Sequence, residues 1–215
     1  MRFSLLRYGV TVWLVVLPLI LPVFAHAQQK GEPGKFDFYL LNLSWSPEFC
    51  SIQGTSPQCV APAGFVVHGL WAQNNDGSYP VFCSERRGPV HPGRNLDLTP
   101  DRSLLEHEWR KHGTCTTLAP EDFFALERRA FHSLRVPRLF HGLEHEVEMK
   151  SAEISGLFAK ANPSFPVGSI LVSCSEKRLT AVEACFAKDS LKPIACKGLR
   201  GCELETIRVA PSAKK

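Results

Sequence analysis

Five residues with acid–base or cationic side chains fall in two short segments of the chain. They are His68, in the segment FVVHGLW, and His107, Glu108, Lys111 and His112, in the segment EHEWRKHGTC. Imidazole both accepts and donates protons near neutral pH, so two histidines can serve as base and acid in one reaction cycle. These residue types indicate cleavage of a phosphodiester without a metal ion.

A helix must position the second segment. The residues from Pro100 onward are typical of a helix start, and Gly113 suits a helix end. At about 100° per residue, the four polar side chains of this segment fall within about 140° of one another. Trp109 points away from them, where it can anchor the helix in the core. We therefore expect one polar face that can line a site.

Other interpretations of the same residues remain open at this point. Glu108 and Lys111 can form an i,i+3 pair on a solvated helix face. A zinc site of the H-E-x-x-H type requires histidines four residues apart, whereas His107 and His112 are five apart and Lys111 would place a cation beside the metal. His68, taken alone, is typical of a structural histidine, although it follows a short apolar run and precedes a glycine.

The first 27 residues have the composition of a signal peptide. Arg2 and Arg7 precede an uncharged, largely apolar run at 9–24, and the small residues of Ala-His-Ala at 25–27 mark a cleavage point. An uncleaved membrane anchor is the alternative interpretation. Removal of the leader leaves 188 of the 215 residues and lowers the net charge from +4 to +2, since the leader carries two arginines. The sequence therefore predicts an exported protein without the strongly basic surface of a non-specific nucleic-acid coat.

Patterns of apolar residues predict one domain of the α+β class. Strands are predicted at 36–46, 64–68, 169–173, 179–187 and 205–210. Further helices are predicted at 121–134 and 151–161, and turn-rich loops at 50–62 and 74–101. Because strands and helices alternate irregularly, α+β is favoured over a repeated βαβ winding. The eight cysteines all follow the leader, an even number that predicts four disulfides in an exported chain, with no C-x2-C or C-x4-C pair to suggest zinc.

The two histidine segments resemble the two active-site segments of the ribonuclease T2 family, which are secreted, periplasmic or vacuolar endoribonucleases. The resemblance extends over the mature chain and includes Ser44-Trp45-Ser46-Pro47 and the layout of the cysteines. It implies a catalytic domain at 28–215, with a flexible tail at about 210–215. It also implies a central, mostly antiparallel sheet packed by several helices.

The resemblance also assigns roles to the five residues. It makes His112 the base that deprotonates the ribose 2′-OH and His68 the acid that protonates the departing 5′-oxygen. It implies that His107 binds the phosphate, and that Glu108 and Lys111 help to stabilise the pentacoordinate transition state. The implied products are a 2′,3′-cyclic phosphate and a 5′-OH. No metal or cofactor is expected, and DNA is not a substrate because it lacks the 2′-OH.

The expected base-binding residues are Trp71, Gln73 and Tyr79. By the resemblance, Trp71 and Tyr79 sandwich the base on the 5′ side of the cut. Gln73 stands where some relatives have an acid that reads a purine edge, and Ala72 replaces a frequent proline. Ser44 replaces a glutamine that is common in plant relatives. Low base specificity is expected, and the preferred base stays open.

The resemblance implies disulfides Cys50–Cys59, Cys83–Cys115, Cys174–Cys202 and Cys185–Cys196. The sequence thus predicts a monomeric ribonuclease, periplasmic or extracellular, that acts on single-stranded RNA and leaves the membrane after signal cleavage. Two alternatives remain: a metal-dependent secreted hydrolase built on the histidines, and a non-catalytic binding protein on the same scaffold.

Overall fold

The computed structural model describes residues 29–60 and 64–212. The signal peptide predicted at 1–27 lies outside the described residues, as do 28, 61–63 and 213–215. The helices of the described part are α1 (Ser46–Ile52), α2 (Arg102–Lys111), α3 (Pro120–Ser133) and α4 (Ser151–Ala161). Its strands are β1 (Gln29–Lys30), β2 (Phe38–Trp45), β3 (Phe65–Gln73), β4 (Pro80–Val81), β5 (Val147–Lys150), β6 (Ile170–Ser175), β7 (Arg178–Ala187) and β8 (Thr206–Val209).

Strand β2 is an inner strand of a six-stranded sheet, in which the strands follow the order β3-β2-β7-β8-β5 and β6 pairs with β7. It pairs antiparallel with β3 on one side and with β7 on the other, and β6 pairs antiparallel with β7. Among the described strands, parallel pairing is confined to β1 with β4 and to a single residue pair between β7 and β8. The predicted α+β fold with a mostly antiparallel sheet is confirmed.

The two faces of β2 have different surroundings. Side chains of one face, including Leu41, Leu43 and Trp45, belong to the main hydrophobic core. On the other face, apolar Leu40 packs in a smaller cluster and is followed by Asn42, a polar residue that is also buried. Because alternate residues of a strand share a face, this change from apolar to polar along one face marks where the sheet meets the site.

Helix α2 is capped at its start and anchored at its end. The Asp101 carboxylate accepts the backbone N–H groups of Ser103 and Leu104, which satisfies donors that a helix start leaves free. Trp109 is fully buried, and its ring lies where a Cβ at Gly113 would be. The glycine predicted to end the helix is thus required by close packing against this indole ring.

Among the α-helices and the strands longer than two residues, three differ from the sequence-based expectation. α1 forms within the segment predicted as turns, where proline at its second position supports a helix start. β3 continues to Gln73, although 64–68 was the predicted strand, because its whole length pairs with β2. The short strand β5 lies outside the predicted elements, since only two of its four residues are apolar.

The first residues of the predicted tail, 210–212, contact the rest of the domain. Ala210 and Ser212 are both 8% exposed. The Trp45 indole N–H donates to the Ala210 carbonyl at 3.1 Å, and the Ser212 hydroxyl donates to the Leu143 carbonyl at 3.2 Å. The segment after β8 is therefore packed on the core.

No helix in the described ranges is long and apolar enough to cross a membrane.

All eight cysteines are paired in disulfides, in the same four combinations that the family resemblance implies. The pairs are Cys50–Cys59, Cys83–Cys115, Cys174–Cys202 and Cys185–Cys196. The bridge from Cys83 to Cys115 joins the segment after β4 to the turn that follows α2. Four of the predicted catalytic residues lie in α2 or directly after it.

Replacing both Cys83 and Cys115 by serine should lower the free energy of unfolding by about 3–4 kcal/mol, because the bridge spans 32 residues of sequence. Denaturant unfolding followed by tryptophan fluorescence measures this loss. Serine at both Cys50 and Cys59, which are separated by 9 residues, is the matched control, with an expected loss of about 2–3 kcal/mol. A larger loss in the control than in the test variant would contradict the expectation.

Candidate active site

A β-bulge places His68 in the site. Asn42 of β2 pairs with Gly69, but its neighbour Leu43 pairs with Val67, so His68 is an extra residue on β3. Strict alternation would turn His68 to the same face as Leu70, which is in the core. The inserted residue instead leaves the pleat, and its side chain is 35% exposed.

Gly69 lets helix α2 approach β3 closely. A Cβ at this position would overlap the carboxylate of Glu108 and crowd the indole nitrogen of Trp71. Any larger residue must therefore displace the carboxylate. The glycine that follows His68 therefore allows α2 to lie directly over the bulge of β3.

The Glu108 carboxylate lies among three side chains with ring N–H groups, although it is only 2% exposed. Its Oε1 atom is 3.4 Å from Nε2 of His68. Its Oε2 atom accepts the indole N–H of Trp71 at 2.7 Å and lies 4.0 Å from Nε2 of His112. Burial alone would raise the pKa of Glu108, but the hydrogen bonds with His68 and Trp71, and the attraction of either imidazole when it is protonated, hold it below its ordinary value.

His112 is the most buried of the three site histidines, at 3% exposed. Its ring stacks on that of Trp71, with centroids 5.2 Å apart and planes inclined by 26°. Its Nδ1 atom has no hydrogen-bond partner among the described residues. Burial, together with the nearby cationic side chains and against the attraction of Glu108, lowers the pKa of His112 to about 4. The ring is therefore neutral in mildly acidic and neutral solution.

His68 has a different environment from His112. Its Nδ1 atom lies 3.2 Å from the hydroxyl of Ser44, so the imidazole is fixed by Ser44 on one side and by Glu108 on the other. In the sequence, Ser44 is notable for replacing a glutamine that is common in plant relatives. Because β2 pairs with β3, Ser44 contacts His68, one of the residues predicted to be catalytic.

One cavity of about 330 Å³ brings together all the predicted catalytic and base-binding residues. They are His68, Trp71, Gln73, Tyr79, His107, Glu108, Lys111 and His112. A second cavity, of about 240 Å³, shares His68 and His107 with the first and is also lined by Phe49, Gln58 and Leu104. The two histidines therefore stand between two adjoining recesses.

Sequence patterns missed part of the cavity wall. Glu183 of β7 faces the cavity and accepts the side-chain N–H of Asn42 at 2.9 Å; burial raises the pKa of its carboxyl. Leu199 and Arg200 also line the cavity, from the segment between Cys196 and Cys202. An acid in an apolar strand was a usable signal for Glu183, but nothing in the sequence pattern placed the loop beside the site.

No group of three or more His, Cys, Asp or Glu side chains in the described part of the chain is arranged to hold a metal ion. The histidines are instead tied to one shared carboxylate and to an indole ring. The arrangement can hold one imidazole neutral and another beside a carboxylate, with Lys111 as a cation at the same cavity. These are the groups that move protons at a phosphodiester and stabilise its negative charge.

Known proteins resemble this chain in sequence and in structure. A ribonuclease of Aeromonas hydrophila is 48% identical over 111 residues, 50% of this chain and 51% of that protein. Ribonuclease DdI of Dictyostelium discoideum is 29% identical over 187 residues, 80% of this chain and 83% of that protein. The chain thus spans about half the length of the first relative and most of the second.

The fold has solved counterparts as well. A mutant of RNase MC1, solved in complex with 5′-UMP, superposes with a TM-score of 0.67 at 22% identity and covers 80% of this chain and 97% of its own. The sequence model of the ribonuclease T2 family matches residues 36–196, which include the whole cavity except the loop around Arg200. This chain therefore belongs to the ribonuclease T2 family.

Proposed function

We propose that this protein is an endoribonuclease that cleaves single-stranded RNA by transesterification, with attack of the ribose 2′-oxygen on the adjacent phosphorus. The observation that carries the proposal is the buried Glu108 carboxylate between His68 and His112 in one cavity. Two imidazoles in unlike environments suit the two proton transfers that this reaction requires.

In the first step His112 takes the proton of the 2′-OH. A base must be unprotonated before it acts, and burial keeps this ring neutral above about pH 4. Its stacking on Trp71 limits rotation, so the proton-accepting nitrogen keeps its direction. As the proton is transferred, the imidazolium gains the attraction of the Glu108 carboxylate, which therefore stabilises the transition state more than the ground state.

His68 then gives a proton to the departing 5′-oxygen, and the 2′,3′-cyclic phosphate forms. It is the more exposed imidazole of the pair, and both its ring nitrogens have polar neighbours that orient it. His107 and Lys111 line the same cavity, where they bind the phosphate and offset the charge of the pentacoordinate transition state. These side chains account for every proton in the reaction, so no metal or cofactor enters the proposal.

The two recesses support cleavage within a chain. An RNA strand that passes over His68 and His107 can place the nucleotide on each side of the scissile phosphate in a separate cavity. On the 5′ side, Trp71 and Tyr79 both line the cavity. His112 covers one face of Trp71, so a base stacks on the other face of this indole ring. Gln73 can hydrogen-bond several base edges, which supports low base specificity. DNA is excluded as a substrate because it lacks the 2′-OH.

The cellular setting is part of the proposal. Residues 1–27 are proposed as a cleaved signal peptide, and the four disulfides suit an oxidising compartment, periplasmic or extracellular. The enzyme is proposed to act as a monomer, since the whole candidate site comes from one chain.

Digestion of single-stranded RNA in excess EDTA should leave 2′,3′-cyclic phosphate and 5′-OH ends, because only side chains move the protons. His112→Ala and His68→Ala should each lower the rate by about 10²–10⁴-fold. Mass spectrometry of the fragments identifies the ends, and DNA of the same sequence is the control. Activity that EDTA abolishes and zinc restores would favour the metal-dependent alternative, and a folded protein that leaves RNA intact would favour the non-catalytic one.

The acid limb of kcat/KM should lie near pH 4 and not near pH 6.5, the ordinary pKa of histidine. His112 loses its basic form only below about pH 4, and the Glu108 carboxylate stays ionised below its ordinary range. Dinucleotide cleavage between pH 3 and 7 measures the limb, with circular dichroism as the check that the protein stays folded. A midpoint between pH 6 and 7 would show that His112 is not held neutral by burial.

Trp71→Phe should preserve stacking on the base but lose the N–H that binds Glu108, whereas Trp71→Ala should lose both. We expect Trp71→Ala to raise KM by about 10-fold or more, as loss of base–aromatic stacking costs about 1–3 kcal/mol. Steady-state rates on the sixteen dinucleotides separate KM from kcat. An unchanged dinucleotide profile in Trp71→Ala would rule out the stacking role.

A further inference from the structure

A glutamate lies in the apolar core directly behind the catalytic cavity. Glu127, in the middle of α3, is 2% exposed, and its helix neighbours Phe123, Leu126 and Ala130 all belong to the hydrophobic core. Acidic residues are almost never fully buried unless they are paired. The reaction proposed above does not use this carboxyl, and the pattern of α3 alone predicts only core packing.

The contacts of Glu127 lead to the catalytic strand. Its carboxyl accepts the backbone N–H of Leu70, which lies in β3 between Gly69 and Trp71. Its other oxygen, Oε2, has no hydrogen-bond partner among the residues that the structure describes. The single hydrogen bond therefore secures the stretch of β3 that follows the bulge, with His68 before it and Trp71 after it.

The charges around Glu127 do not offset a negative charge. Titratable and charged side chains on the strands and helix packed against α3 are Tyr39 of β2, His68 of β3, and Arg102, Glu106, His107, Glu108, Arg110 and Lys111 of α2, with His112 after it. Of these, the Glu108 carboxylate acts on Glu127, and it repels a second negative charge. Arg128 attracts it, but this guanidinium is bound by both oxygens of Asp97 at 2.7 Å each.

These conditions keep the side chain neutral near pH 7. Burial, and after it the repulsion by Glu108, raises the pKa of Glu127 to about 8, against the smaller opposing effects of the Leu70 amide and Arg128. A neutral carboxyl still offers a carbonyl oxygen to the Leu70 N–H. The contact with β3 therefore survives protonation, whereas ionisation would place two carboxylates close together behind the cavity.

We propose that Glu127 is a positioning residue for the active site, which as a neutral acid holds β3 between His68 and Trp71 and whose ionisation in alkaline solution slows RNA cleavage. This inference rests on the proposed ribonuclease function. Two effects follow from ionisation. The new charge weakens the hold of Glu108 on its hydrogen-bond donors, because the two carboxylates repel each other. It also adds negative charge behind a site that must stabilise a phosphorane.

Glu127→Gln and Glu127→Leu separate the contact of this side chain with β3 from its ionisation. Glutamine keeps a carbonyl oxygen for the Leu70 N–H but cannot ionise, whereas leucine removes the acceptor. At pH 6.5 we expect Glu127→Gln to keep kcat within about 2-fold of the wild type, and Glu127→Leu to lose about 5-fold or more in kcat with a smaller change in KM. Asp122→Asn removes an exposed carboxylate from the same helix and is the matched control.

The pH profile gives the deciding measurement. At pH 9 about nine tenths of Glu127 is ionised, so the ratio of kcat at pH 9 to kcat at pH 6.5 should be about 5- to 10-fold higher in Glu127→Gln than in the wild type. Every other group that titrates in this range is the same in both proteins, so its effect on the rate cancels in this comparison. Asp122→Asn should follow the wild type. Equal ratios in Glu127→Gln and the wild type would overturn the inference.

A second measurement on the wild type does not depend on any variant folding. Carbon-13 NMR of the protein labelled at the glutamate carboxyl should show one carboxyl that titrates near pH 8, and its absence overturns the inference. If the wild type fails to cleave RNA at pH 6.5, the proposed function fails. The NMR titration then still decides whether Glu127 holds a proton.

Discussion

The carboxylate of Glu108 is the group on which the arrangement of the site depends. It is withdrawn from water, and a buried charge persists only where hydrogen bonds and opposite charges replace its hydration. The indole N–H of Trp71 and the imidazole of His68 supply them, and His112 lies on the same side. One charge thereby fixes three rings from two elements, and it leaves no room for a side chain at Gly69.

Other contacts hold α2 against β3, where the Glu108 carboxylate reaches its partners. Arg86 ties down the segment that follows α2, because its guanidinium donates to the carbonyls of Thr114, Thr116 and Leu118 and lies 5.3 Å from the ring of Trp109. Backbone carbonyls outside α-helices and strands need such donors, since no regular ladder of hydrogen bonds provides them with partners. The same stretch contains the disulfide to the segment after β4. Several kinds of interaction therefore converge on one short turn.

Local spacing was sufficient to predict the helix with its four polar residues and the single-domain α+β class, because caps and periodicity depend on near neighbours. It did not predict that His68 lies in a bulge, since a bulge is visible only against the partner strand. Arg86 lies in the segment predicted as a turn-rich loop, and a loop arginine gives no sign in the sequence of the carbonyls that it binds. Glu183 was missed for the same reason: its partner Asn42 is distant in sequence and adjacent only across the sheet.

Glu108 and Glu127 are equally buried, at 2% exposure each, yet their pKa values move in opposite directions. Burial raises the pKa of both carboxyls, so it cannot explain why one pKa is lowered and the other raised. Glu108 has an indole N–H and two imidazoles beside its carboxylate, whereas Glu127 has one backbone amide and the repulsion of Glu108 itself. The number of donors therefore decides which carboxyl is charged, and the charge on the first helps to keep the second neutral.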